Sequence, residues 1–366
     1  MKISDVKLDC RHFKGYVPCR PHKEKGVLCP DCPDYAPVKE RILIIKLGAM
    51  GDVIRTTPLL VRLREEYPHA QIHWITHTPD ILPAGKIDRV YRWDATALHI
   101  LKHLDFDLAI NLDKDLEACI LLRQVRARRK MGFIEHEGHV WPLSPAAEHK
   151  ILTGLFDPIS KANTKNYIAE TFEICGYDFR GEPYLLDVDP DLLKKWKQEY
   201  AQALEERPWI GLNTGCGARW PTRLWPEDYW VALIQRMQQE GLKPILMGGP
   251  DEEPRNLRLH QRTGAYYPGV HPLKEFIAMI AATDAIVTAV TMAMHLAIGT
   301  QRRIVLFNNI FNRHEFELYG RGRIVEPDTG CDCYYGQTCK RARHCMYDLP
   351  VDKVWDALME VLNLPA

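Results

Sequence analysis

The sequence predicts an α/β chain of two doubly wound halves, on three observations. From Arg41 onward short apolar runs alternate with amphipathic segments. The alternation restarts near Trp209. Each start runs into a glycine loop, "LGAMGD" in the first half and "NTGCGARWP" in the second. Short apolar strands separated by amphipathic helices form a parallel sheet covered on both faces, and the right-handed crossover rule fixes the winding.

The elements follow in order. Residues 1–38 have little periodicity and are rich in Cys, His, Pro and Gly, which reads as a loop-built appendage. "RILIIKL" is then a strand, "VIRTTPLLVRLREEYP" a helix, "QIHWITH" a strand, "TALHILKHL" a helix and "FDLAINLD" a strand. The polar stretch "SKANTKNYIAETFEICGYDFRGEPYLLDVDP" closes this domain, expected at 39–185, and links it to the second, expected at 186–366. There "WIGLN" and "PILMG" are strands around the helix "DYWVALIQRMQQEG". "LKEFIAMIAATDAIVTA" is helix then strand, "MAMHLAIGT" a helix and "RIVLF" a strand. Ligands of such sheets sit beyond the carboxyl ends of the strands, so a cleft between the halves is the expected site.

Composition excludes several classes. A chain of 366 residues holds two domains at roughly 100 to 200 residues each. Lys plus Arg equals Asp plus Glu at 48 each, so no global positive field draws the chain to nucleic acid. No apolar run approaches the roughly 20 residues of a membrane span, and "MKISDVKLDCRHFKGY" lacks a signal peptide's apolar core, so a cytoplasmic protein is expected. Eight of the 11 cysteines fall in two clusters, which in a reducing compartment favours metal over disulfides. Cys10, Cys19, Cys29 and Cys32 include one C-x2-C pair, and chelating one ion would supply folding energy to a segment with no core. Unligated thiols are the plainer alternative. Cys331, Cys333, Cys339 and Cys345 form the second cluster, in the loop 331–345, where tetrahedral zinc or an iron–sulfur centre is compatible.

The first glycine loop carries a carboxylate, Asp52, where a dinucleotide fold would hold phosphate. An aspartate there is ordinarily a helix cap or a first-turn charge. Alternatively Gly48 and Gly51 turn the chain tightly at the sheet edge and aim Asp52 at an acceptor hydroxyl as general base, with Arg55 on the same loop. The second loop offers Thr214, Gly215, Thr222, Arg219 and Arg223, hydroxyls and guanidinium forks that suit a diphosphate leaving group. Arg219 also reads as merely exposed, and Trp225 with Pro226 as packing. A helix opening at Thr291 and Met292 presents free N–H groups to anions, and His295 on the same helix is expected on the donor side, with a buried, satisfied histidine as the alternative its apolar face offers. The basic runs "RQVRARRK" and "CKRARHC" read as solvated faces or as contacts to an anionic acceptor.

Four segments, "LGAMGDVIRTTPLL", "GARWPTRLWP", "MGGPDEE" and "MHLAIG", resemble in order and spacing the signature segments of family 9 glycosyltransferases, the ADP-heptose heptosyltransferases of bacterial surface polysaccharide synthesis. The resemblance runs from about Arg41 to the C-terminus. It implies a GT-B fold of two Rossmann-like domains with an interdomain cleft, an acceptor on the N-terminal domain, a nucleotide sugar on the C-terminal one, and inversion at the anomeric carbon. It also implies that Asp52 is the base, that Glu252 accepts bonds from ribose hydroxyls, and that Arg223 stands where the family usually has lysine. The family commonly has aspartate at the position of Val290 and glycine at that of Met292, so the aspartate's contact to donor or metal is missing here. The C-terminal cysteines resemble those of an autotransporter heptosyltransferase subgroup that carries iron.

The expected function is therefore transfer of a sugar, heptose from ADP-heptose, to a hydroxyl of a bacterial surface glycolipid core or of a protein. The expected cofactor is structural iron or zinc on the cysteines. A peripheral contact with the inner membrane and a homo-oligomer are further partner expectations. A metal-dependent binding or assembly protein on a degenerate GT-B fold is the alternative, and an iron–sulfur redox protein a third reading.

Overall fold

The computed structural model describes residues 1–217 and 221–364. It divides into two compact units, Met1–Leu152 with Glu170–Glu182, and Thr153–Ala169 with Pro183–Ala366. Each is an α/β unit around its own sheet.

In the first unit β1 (Arg41–Ile45), β2 (Gln71–Thr76), β3 (Arg89–Arg92), β4 (Asp105–Asn111), β5 (Arg126–His136) and β6 (His139–Pro142) lie in the order β3-β2-β1-β4-β5-β6. Strands β1 to β5 are parallel, and β6 turns back antiparallel on β5. Ile42 to Ile45 are fully buried because helices cover both faces, which is why β1 reads as an unbroken apolar run. Its side chains Leu43 and Ile45 pack with Ile75, Ala109, Leu121 and Leu122. Strand order reverses at β1, which pairs with both β2 and β4, Ile45 lying beside Ile75 on one side and Asn111 on the other. Such a reversal opens a crevice over the carboxyl ends of the strands.

One element differs from expectation. The helix read over residues 53–68 is two helices, Met50–Ile54 and Leu59–Glu66. Pro58 has no N–H to continue the first, and Thr56 and Thr57 turn their hydroxyls onto the carbonyls of Asp52 and Ile54, each at 2.7 Å. The basic run, expected as a solvated face, spans the end of the helix Leu116–Gln124 and the start of β5, its Arg126 and Arg128 exposed and paired with Asp105 and Asp107 at 2.9 and 3.3 Å. The appendage clusters with this unit. Its single buried residue is Pro21. Arg11 ties it down by donating to the carbonyls of Pro68 and Ala70 at 3.0 and 2.9 Å.

In the second unit β7 (Trp209–Asn213), β8 (Lys243–Met247), β9 (Ala285–Ala289), β10 (Arg303–Phe307) and β11 (Gly322–Val325) form a wholly parallel sheet in the order β11-β10-β9-β7-β8. Here the reversal falls at β7, between β9 and β8. Trp225 is a core residue, edge-on to Trp230 at 5.0 Å between centroids and donating its indole N–H to the carbonyl of Leu349 at 2.9 Å. The last helix, Val351–Leu362, covers β10 and β11 with Val354, Leu358 and Val361 buried. Among the described residues no helix is long and apolar enough to cross a membrane.

Gly132 lets β5 lie against the end of β4: its φ is +93° and a Cβ there would stand 1.8 Å from the Asn111 carbonyl oxygen. Replacement by alanine should cost on the order of 1–3 kcal/mol from the backbone conformation alone, with the overlap added. A denaturant melt of Gly132→Ala should therefore show a clearly lower midpoint, and an unchanged one would contradict this role.

Candidate active site

The turn after β1 carries the first unit's candidate group. Asp52 lies in the first turn of the helix Met50–Ile54, whose N-cap is Ala49 with no side-chain cap, so of its two ordinary roles Asp52 has that of a first-turn charge and not of a cap. Its carboxylate Oδ1 is held by Arg55 Nη2 at 2.7 Å, with Asp52 32 % exposed and Arg55 13 %. Gly51 sits inside this helix and accepts the Arg55 N–H at 3.0 Å. A Cβ on Gly48 would meet only His77 Cδ2 at 4.0 Å, so the missing side chain leaves open space on the loop and relieves no clash.

Beneath this turn lies a pair that sequence reasoning missed. Lys46 and Asp113, at the carboxyl ends of the neighbouring strands β1 and β4, form an ion pair with each side chain 4 % exposed. Asp113 also accepts the Leu47 N–H, and the Lys46 ammonium donates to the Gly48 carbonyl at 3.0 Å. Burial pushes the Asp113 carboxyl up from its ordinary range, and Lys46 opposes that shift. The available signal was a lysine and an aspartate directly after two buried strands.

In the second unit the loops after β7, β8 and β9 gather. Thr214 donates its hydroxyl to Asn256 Oδ1 at 2.7 Å, and Asn256 in turn reaches the Met247 carbonyl at 3.2 Å. Glu252 accepts the Gly249 N–H at 2.9 Å. Cβ atoms on Gly215 and Gly248 would come within 1.9 and 2.5 Å of its side chain. The two glycines are thus the room in which Glu252 lies. Arg255, also unremarked in the sequence, donates to the carbonyls of Thr214 and Trp225 at 3.4 Å each, and burial lowers its pKa.

Arg223 is placed differently from an anion-facing fork. It is 6 % exposed, donates to the carbonyls of Val290, at 2.7 Å, and Cys216, and lies 5.0 Å from the centre of the Phe311 ring. Burial pulls its guanidinium down to about 10. It therefore staples the loop after β7 to the loop after β9. Thr222, its neighbour, has a buried hydroxyl without a hydrogen-bond partner among the described residues. Arg219 lies outside the described residues. Thr291 is the N-cap of the helix Met292–Gly299 and makes no side-chain cap. Its hydroxyl goes instead to Asn213 Oδ1 at 3.2 Å, beside Thr288. His295 is buried, stacked on Tyr184 with its Nδ1 3.4 Å from the phenol oxygen, the arrangement of a satisfied core histidine.

All the cysteines are free thiols. Cys10, Cys19, Cys29 and Cys32 line one cavity of about 290 Å³ together with His12 and His22. In the C-terminal loop the Cys331 thiol donates to Cys345, which brings Cys345 down to about 6 and pushes Cys331 up. Cys333 pairs with Cys339. The Asn309 side-chain amide lies 3.4 Å from the Cys345 sulfur. Among the described residues, however, no three His, Cys, Asp or Glu side chains converge closely enough to hold a metal ion. Of the basic residues beside them, Arg341 pairs with Asp332 at 2.7 Å and Arg343 lies over Tyr347.

Comparison with known proteins converges on one family. The chain is 24 % identical over 326 residues to lipopolysaccharide heptosyltransferase 1 of Pseudomonas aeruginosa, covering 82 % of this chain and 87 % of that protein. Its fold matches a family 9 glycosyltransferase from Veillonella parvula with a TM-score of 0.70 at 16 % identity, over 89 % of this chain and 97 % of the other. It matches the Escherichia coli ADP-heptose lipopolysaccharide heptosyltransferase II with a TM-score of 0.64 at 17 % identity, over 88 % and 98 %. These likenesses establish the fold as GT-B, with two Rossmann-like units. Residues 96–316, more than half of the chain, match glycosyltransferase family 9 (heptosyltransferase), and the chain is a glycosyltransferase of that family.

Proposed function

We propose that the enzyme transfers heptose from ADP-heptose, with inversion, to a hydroxyl of a lipopolysaccharide core. The observation that carries this reading is Asp52: a carboxylate about one-third exposed, anchored by Arg55, at the edge where a nucleotide-binding turn would hold phosphate. The carboxylate takes the proton of the acceptor hydroxyl as that hydroxyl attacks the anomeric carbon. The bond from that carbon to the diphosphate breaks on the opposite face, and the electron pair leaves with ADP. One carboxylate suffices, because a single displacement inverts the centre and needs no covalent intermediate.

The donor falls to the second unit. Thr222 brings a buried hydroxyl with no partner among the described residues, and the uncapped start of the helix at Thr291 and Met292 brings backbone N–H groups, both suited to the charge that develops on the diphosphate. Glu252, seated between Gly215 and Gly248, takes the ribose hydroxyls. Arg223 acts by holding the two donor loops together, and Thr214 braces the same loop. The missing aspartate at Val290 is compatible with this, since that loop is anchored through its carbonyl. Structural iron or zinc on the thiols of the appendage and of the loop 331–345 would require those side chains to draw closer than they lie here; the shared cavity of the first set and the paired sulfurs of the second support the reading. The enzyme works in the cytoplasm, and a glycolipid acceptor would bring it to the inner membrane surface.

Asp52→Asn should lower turnover, measured as ADP release with a core oligosaccharide acceptor, by about 10²-fold or more while leaving the donor Kd within about twofold. Wild-type turnover would remove the base assignment. Glu252→Ala should weaken ADP binding about tenfold in calorimetry through loss of a charge-assisted bond; unaltered affinity would place the ribose elsewhere. Failure of every nucleotide sugar to bind would favour an assembly role on a degenerate fold. Elemental analysis should find iron or zinc near one ion per cysteine set, with the appendage's share lost in Cys29→Ser/Cys32→Ser, and a metal-free protein would contradict the metal reading.

A further inference from the structure

We propose that Lys46 and Asp113 are a positioning pair for the transfer reaction, holding the Gly48–Asp52 turn in its working geometry; the proposal rests on Asp52 being the base. The pair stands where strand order reverses, Lys46 just past β1 and Asp113 just past β4. It is the middle of a continuous chain of bonds. Asn111 donates to the carbonyl of Phe133 on β5 at 2.7 Å and to that of Asp113 at 3.0 Å, and accepts the Asp113 N–H at 3.0 Å. Asp113 then holds the Lys46 ammonium and the Leu47 N–H, one on each oxygen. Lys46 passes the connection to the Gly48 carbonyl at 3.0 Å. The turn that bears Asp52 is thereby tied to the frame of the sheet by backbone and side-chain bonds together.

Stability alone is a weak reason for such a pair. Two charges removed from water usually recover little more than their desolvation cost, and well-packed apolar residues of similar volume serve a fold at least as well. Geometry is a better reason. Three of the partners that Lys46 and Asp113 engage are groups of one another or of the turn itself, namely Lys46, Leu47 and Gly48. Displacing a catalytic group by about 1 Å can cost on the order of 10²-fold in rate without changing substrate affinity. A positioning pair should therefore act on kcat, whereas a purely structural one acts on the melting temperature.

The experiment compares wild type with Lys46→Met/Asp113→Val, with Asp113→Asn, which is nearly isosteric and safer for folding, and with Asp52→Asn. ADP release from ADP-heptose with a core oligosaccharide acceptor gives kcat and donor KM. Hydrogen exchange reads the amides of residues 47–52, and thermal melts check folding. The expected result is that the folded pair variants lose at least about tenfold in kcat, keep KM within about twofold, and exchange faster at 47–52. A folded pair variant with wild-type kcat and unaltered exchange, beside an inactive Asp52→Asn, would overturn the positioning role alone. Wild-type turnover in Asp52→Asn would overturn the base assignment, and this proposal with it.

Discussion

A parallel sheet in which strand order reverses leaves a crevice over the carboxyl ends of its strands, and the chemistry of this chain depends on how two such reversals are furnished. At the β1/β4 reversal the backbone turns at once into a short helix, and the charge presented is a carboxylate with an arginine on one oxygen. At the β7/β9 reversal the furnishing is the converse: glycines, hydroxyls and an uncapped helix start, with one glutamate folded down into the space the glycines leave. The two units share a winding principle and differ in the sign of what they offer. On the proposed reading they serve as proton acceptor and anion cradle, the two things an inverting transfer of a sugar from a diphosphate needs.

Burial decides which charged residues can do which work. Arg223 is flanked by carbonyls and lies over an aromatic ring, so it organises loops; a guanidinium free to clasp phosphate would have to give up those bonds. Lys46 and Asp113 are deeper still and meet mainly each other and the turn above them. Asp52 keeps about a third of its side chain exposed, as the proposed contact with an acceptor requires. Charge balance over the chain as a whole, with equal acids and bases, has no bearing on any of this; position relative to the strand ends does.

Much of the fold was legible because the strands are buried on both faces. "RILII", "WIGLN" and "RIVLF" announce themselves as unbroken apolar runs, and the glycine loops mark where they end. Less legible were the partly exposed strands: β3, β6 and β11 are only four residues each, and β5 begins with arginines that face water and looks like a charged coil. The two-part helix after Asp52 was hidden because apolar spacing runs through Pro58 unbroken. In the candidate site, Asp52 could be singled out locally from the turn that carries it, whereas Glu252 was marked by the family resemblance. Lys46 with Asp113, 67 residues apart, could not, since only the pairing of β1 with β4 brings them together. His295 was read as either core or ligand, and Tyr184 above it is the partner no local pattern could supply.

The central claim, a single displacement assisted by one carboxylate, is tested most directly by the stereochemistry of the product. Nuclear magnetic resonance of the transferred sugar, through the one-bond coupling at its anomeric carbon, compares its configuration with that of the ADP-heptose supplied. The account predicts the opposite configuration. The same configuration as the donor would require a second displacement or attack from the leaving group's own face, and would contradict it.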